Sequence, residues 1–194
     1  MLRSLGVVIW MAAVVWTPVP DVTTAFTCGA DIGVGIKSRR KFCDVVISTT
    51  AADGVMMAVP PHSGTTTLMF DLHNRYTLPP AGAPPAQTYA KHTAVVAIMD
   101  QTGTVISRAA VSRELRTGVD IFDRIAGGAG PDGAIQVVPG RAEAVTLTLP
   151  EAVTSIAVVG LSLEAVSLGE QGTFTAPGRP VAIGSNFRIE YTGR

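Results

Sequence analysis

Thr67-Leu68-Met69-Phe70-Asp71-Leu72-His73-Asn74 is the stretch that decides the fold. Leu68, Phe70 and Leu72 recur at every second residue, so an extended chain puts them on one face and Asp71 and His73 on the other. That is a strand with one oily side and one wet side. The same alternation returns in 143–149, where Val145, Leu147 and Leu149 alternate with Ala144, Thr146 and Thr148. It returns again near the end, where Phe187, Ile189 and Tyr191 oppose Arg188 and Glu190.

Working outward, the residue pattern predicts further strands at 30–37, 42–49, 54–59, 93–99, 104–114 and 154–164. Val95-Val96-Ala97-Ile98-Met99 is apolar on both faces, as a central strand is, and Asp100-Gln101-Thr102-Gly103 after it reads as a hairpin turn. Strands that are wet on one side and short-linked are antiparallel. The expected fold class is therefore all-β, an antiparallel β-sandwich forming a single domain over 26–194. A short helix is expected over 119–126, with Phe122 and Ile125 on one side. Four prolines in 78–86 exclude that stretch from any sheet and predict an exposed loop, and the glycines of 127–133 predict another.

In this layout the chain resembles the broad immunoglobulin and fibronectin type III class of exported sandwiches. The resemblance is architectural. The only tryptophans, Trp10 and Trp16, lie in the first 25 residues, so no tryptophan can pack in the sandwich core. Cys28 and Cys43 are also too close in sequence to match the immunoglobulin bridge between sheets.

Residues 1–25 read as a secretory signal peptide: Arg3, an apolar run over 5–16, prolines at 18 and 20, and Thr23-Thr24-Ala25 as the cleavage site. The apolar run is short of what a bilayer requires, and no other stretch approaches that length, so no membrane span is expected in the mature chain. The expected location is periplasmic or extracellular. Cys28 and Cys43 are the only cysteines, and in an oxidising compartment they are expected to form a disulfide.

Composition removes several functions. Lys+Arg and Asp+Glu are both 15 and charged residues are only 15% of 194, so no basic excess exists to hold nucleic acid. There is no G-x-S-x-G elbow and no pair of carboxylates placed for glycoside chemistry, so no catalytic residue is assigned and the chain is read as a non-enzyme without a cofactor. Gly33-Val34-Gly35-Ile36-Lys37-Ser38 has the look of a phosphate loop but lacks the leading glycine at the required spacing.

The expectation for function is an exported binding module with a protein, cell-envelope or polysaccharide partner. Its contact surfaces would be the proline loop, the glycine loop and the basic turn Lys37-Ser38-Arg39-Arg40-Lys41. The alternative is a periplasmic copper or zinc protein. Asp71 and His73 share a strand face, and His92 would join them if its strand paired with theirs. Met56, Met57, Met69 and Met99 would add soft sulfur. No H-x-H, H-x-M or H-x-x-x-H spacing supports that set.

Overall fold

The computed structural model describes residues 20–78, 89–126 and 136–193. Twelve strands run in chain order: β1 Asp21–Thr23, β2 Thr27–Cys28, β3 Ala30–Val34, β4 Lys41–Val46, β5 Val55–Ala58, β6 Thr66–Leu78, β7 Ala90–Asp100, β8 Val105–Leu115, β9 Gln136–Leu149, β10 Ser155–Ser167, β11 Glu170–Phe174 and β12 Pro180–Tyr191. They form two sheets packed face to face. The first has the order β3-β4-β12-β6-β9 with β1 beside β12, and the second the order β2-β5-β10-β7-β8 with β11 beside β10. Every ladder is antiparallel. The fold is an all-β sandwich, as the alternation requires.

The oily face of the deciding stretch points into the space between the sheets. Leu68, Phe70 and Leu72 are buried there with Val45, Ile189 and Phe187 of the first sheet and Val96, Ile98 and Val158 of the second. Phe187 stacks on Phe70 at 5.1 Å between ring centroids, and Phe26 packs on Phe187 at the same distance. Each fully buried side chain of this size contributes about 1.5–3 kcal/mol relative to exposure.

Two stacked sheets leave two open seams. Along one, β8 is tied to β6 of the opposite sheet: Asn74 donates to the Val111 carbonyl at 3.2 Å and Tyr76 to the Arg113 carbonyl at 2.7 Å. Along the other, the chain itself crosses back and forth, with β1 in the first sheet, β2 in the second and β3 in the first again. Gly29 makes the return crossing. A Cβ there would lie 2.2 Å from the Asp53 carbonyl oxygen, so any side chain would push the crossing off the second sheet.

The disulfide forms between Cys28 and Cys43. It joins β2 of one sheet to β4 of the other, so a spacing too short for the immunoglobulin bridge still links the sheets. A chain that changes sheets at Gly29 needs few residues to span the sandwich.

Other expectations need adjustment. Segment 119–126 is not a helix. A single 3-10 turn at Gly118–Asp120 leads into extended chain whose donors go across to neighbours, Phe122 N–H to the Pro139 carbonyl and Ala126 N–H to the Val34 carbonyl. Phe122 and Ile125 both pack on the cluster of Phe42 and Ile183, from irregular, non-helical chain. The strand carrying His92, β7, lies in the opposite sheet from β6, so the pairing a shared metal site needs does not exist. The expected leader lies outside the described residues up to 19, as do most of the proline and glycine loops; within 20–25, Asp21–Thr23 pairs with Ile189–Tyr191. Among the described residues no helix is long and apolar enough to cross a membrane.

Replacing both cysteines, Cys28→Ala with Cys43→Ala, is expected to lower unfolding free energy by about 3 kcal/mol, the chain-entropy value for a loop of this size. Urea denaturation of the double variant and of reduced wild type should agree. A loss under about 1 kcal/mol would mean that the sheets hold this seam without the bridge.

Candidate functional site

The polar face of the deciding stretch is only partly wet: His73 is fully buried and Asp71 keeps 17% of its side-chain exposure. Register places Asp71 opposite Ser185 and His73 opposite Ile183, with Phe42 and Asp44 of β4 on the far side of β12. Segment 116–126 lies across this outer face of the first sheet. Phe122 sits edge-on to Phe42 at 6.3 Å and tilted over His73 at 5.0 Å, and Ile125 is buried with Phe42 and Ile183.

Each polar group under this cover has a partner. The Nδ1–H of His73 donates to the Gly140 carbonyl at 2.8 Å, and Nε2 lies 2.9 Å from the Ser185 hydroxyl, which donates to it when the ring is neutral. Burial pushes the pKa of His73 down, against the Gly140 bond and Asp71, which favour the charged ring. Asp71 does not touch His73. It accepts from Arg40 and, at 3.3 Å, from the Asn186 amide. Asp44 pairs with Arg75 at 2.9 Å, and burial pushes its carboxyl up despite that partner.

Ser, His and Asp thus meet on one face, yet not as a nucleophile, base and orienting acid. The imidazole is oriented by a backbone carbonyl. Ser185 and His73 are fully buried, and neither lines the small cavity beside them, which Ile36, Lys37, Gly118, Ile121, Phe122, Asp123 and Arg124 enclose. A nucleophile has to reach its substrate. Here the pair serves as a buried hydrogen-bonded link between β12, β6 and β9.

The metal candidates are scattered. His92 donates Nδ1–H to the Arg75 carbonyl at 2.9 Å and stacks on Tyr76, inside the seam between sheets. His62 is held by the Pro60 carbonyl at 2.9 Å, where the chain bridges to Gly193. Met57 and Met99 are buried in different clusters and Met56 is exposed. Among the described residues no three His, Cys, Asp or Glu side chains are grouped for a metal ion.

The phosphate-loop lookalike behaves in an unexpected way. After β3 the chain turns tightly, with Gly35 N–H bonded to the Arg40 carbonyl and Arg39 N–H to the Gly35 carbonyl. The free N–H groups of Lys37 and Ser38 point at one anion, the Asp123 carboxylate, at 3.1 and 2.8 Å, and Arg124 N–H adds a third bond at 2.7 Å. A Cβ on Gly35 would lie 2.3 Å from Asp123 Oδ2, so glycine is what lets the carboxylate in. Backbone N–H groups gathered in a turn make an anion nest, and this chain fills the nest itself. Burial pushes the Asp123 carboxyl up, but the bonds from Ser38, Lys37 and Arg124 outweigh it and hold the pKa at about 2. Sequence reading missed Asp123, because nothing near residue 123 announces a partner 85 positions away.

Asp123 clasps the basic turn to segment 116–126, and the cations then divide. Arg40 goes to Asp71 with its guanidinium 5.2 Å from the Phe122 ring, and Lys41 goes to Asp31 at 2.9 Å. Lys37 and Arg39 are exposed and have no acid partner among the described residues. Ile36 and Val119 beside them are 49% and 75% exposed.

Asp123→Asn is expected to cost about 1–2 kcal/mol at pH 7, since a neutral amide cannot accept all three bonds as strongly. A carboxyl with a depressed pKa stabilises the fold fully above its unfolded value near 4 and loses that contribution as pH falls toward about 2. The variant and wild type should therefore converge in urea midpoint between pH 4 and 2. His73 works in the opposite direction of charge. Its lowered pKa means that the unfolded chain takes up the proton first, so stability falls as pH drops below about 6.5, by at most about 1.4 kcal/mol per pH unit per site. His73→Leu with Ser185→Ala should flatten that limb, leaving the part due to His92, whose pKa burial also lowers. An unchanged slope would show that His73 titrates alike in both states.

Nothing among protein-family models, curated proteins or solved structures matches this chain, so the site is read from its own geometry.

Proposed function

We propose that the protein is an exported, non-enzymatic interaction module whose contact surface is the tip formed by the turn at 35–41 and segment 116–126. The observation that carries the reading is the division of its polar groups. His73, Ser185, Asp71, Asp44 and Asp123 are committed to partners inside the fold, while Lys37 and Arg39 are exposed with no acid partner among the described residues, on a clasped turn. Loops fixed on a rigid sandwich are where such scaffolds carry recognition.

Export is supported by the disulfide, because cross-links of this kind persist in oxidising compartments. A signal-peptidase cut after Ala25 also fits the packing. Pro20, Asp21, Val22, Thr24 and Ala25 are exposed, and Phe26 is the first residue packed on the core. Of the described residues, such a cut removes β1 and no member of the core cluster. The partner on this reading is an anionic component of the cell envelope, met by Lys37 and Arg39.

The test is retention of the purified protein on an isolated envelope fraction. Wild type is expected to bind and to be released by raised salt, because exposed charge pairs are screened. Lys37→Glu with Arg39→Glu is expected to reduce retention at least tenfold with no change in thermal midpoint. Equal retention of the variant would remove the tip as the contact surface.

A further inference from the structure

The tip carries more than charge. Among the described residues Ile36 and Val119 are large exposed apolar side chains; Ile36 and Gly118 line one small cavity, and Val119 is the residue after Gly118. Val34, two residues before Ile36, is exposed as well. Lys37 and Arg39 flank them. The acids nearby are engaged: Asp123 lies buried in its nest, Asp120 holds the backbone N–H groups of Arg116 and Thr117, and Asp31 holds Lys41. The exposed side chains of these two segments are thus both apolar, Ile36 and Val119, and cationic, Lys37 and Arg39.

From this we infer that the tip docks on an anionic lipid bilayer. The inference rests on the proposed contact surface and names its ligand. A polyanionic polysaccharide would satisfy Lys37 and Arg39, but it would leave Ile36 and Val119 in water. A bilayer interface takes both: headgroup phosphates meet the two cations, and the two aliphatic side chains enter the boundary between headgroups and acyl chains. The clasp supports this use. Asp123, Gly35 and the pairing of Val34 and Ile36 with Ala126 and Arg124 fix both halves of the tip to the first sheet, so insertion does not have to order a floppy loop. Two cations and two small apolar groups make a weak, reversible and salt-sensitive contact, suited to a protein that samples a membrane surface rather than anchoring in it.

The experiment is co-sedimentation of the exported protein with vesicles of phosphatidylcholine alone and of phosphatidylcholine with 30% phosphatidylglycerol, at low and at 0.5 M salt. Expected is binding to the anionic vesicles at low salt, at least tenfold weaker on the neutral ones and at high salt. Lys37→Glu with Arg39→Glu should abolish the preference, and Val119→Asp, which leaves both cations in place, should lower binding at least fivefold; both sites are exposed, and an unchanged thermal midpoint verifies the fold. Equal binding to both vesicle types, or binding that both variants retain, overturns the inference. So does failure to bind any vesicle. If envelope retention still depends on Lys37 and Arg39 in that last case, the contact surface stands and its ligand is a polymer or protein.

Discussion

A sheet face that is covered by another segment must satisfy every polar group it carries from within, because water no longer reaches them. That constraint shapes the first sheet. On the face that alternation marks as wet, His73 and Ser185 are fully buried, with Phe122 tilted over His73, while Asp71 keeps part of its exposure. Arg40, Asn186, Arg75 and the Gly140 carbonyl then serve as partners that water would otherwise supply. What holds the cover down is the same kind of bond at its far edge, where three backbone N–H groups solvate the Asp123 carboxylate.

The cover explains why residue types associated with chemistry are present without the arrangement chemistry needs. A serine hydrogen-bonded to a histidine nitrogen is the first half of a nucleophilic pair, and in Ser185 and His73 the distance is right. Access and the third member are both wrong. The Nδ1 proton goes to a neutral carbonyl, which gives little stabilisation to an imidazolium, and burial opposes the charged ring further. The same reasoning applies to the turn at 35–38. Its N–H groups form a site for an anion, and the anion is a covalent part of the chain at an effective concentration that no free phosphate matches. An internal carboxylate thus closes a binding site and, in doing so, stiffens the surface next to it.

Much of this fold is written locally. The residue pattern places β3 to β8 and β10 within a few residues, and it marks the second halves of β9 and β12, whose starts at Gln136 and Pro180 precede the alternating stretches at 143–149 and 187–191. β1, β2 and β11 escape because two to five residues hold too little pattern, and their pairing depends on which edge lies next to them. The spacing of Phe122 and Ile125 predicts a helix over 119–126, but both side chains reach the surface of Phe42 and Ile183 from irregular chain, whose path is set by that surface and not by local pattern. The disulfide pair follows from cysteine count, but its joining of two sheets follows only from the crossing at Gly29. Of the site, Lys37 and Arg39 were visible as charge. Asp123 was not, since its role is set by a partner turn that three-dimensional packing alone brings to it.

A net charge of zero argues against any strongly electrostatic partner only if the charges are evenly used. Here they are not. Asp71, Asp44 and Asp123 are drawn inward or neutralised, each by a group that the covered face or the clasp requires. Near residues 35–41, Asp71 and Asp31 take Arg40 and Lys41 while Asp123 is held by backbone N–H groups, so Lys37 and Arg39 face no acid side-chain partner among the described residues. At physiological salt a charge is felt over about 8 Å, so a partner meets this tip and not the balanced sum of the whole chain. Local imbalance of this kind gives a protein of neutral composition an orientation toward a charged surface.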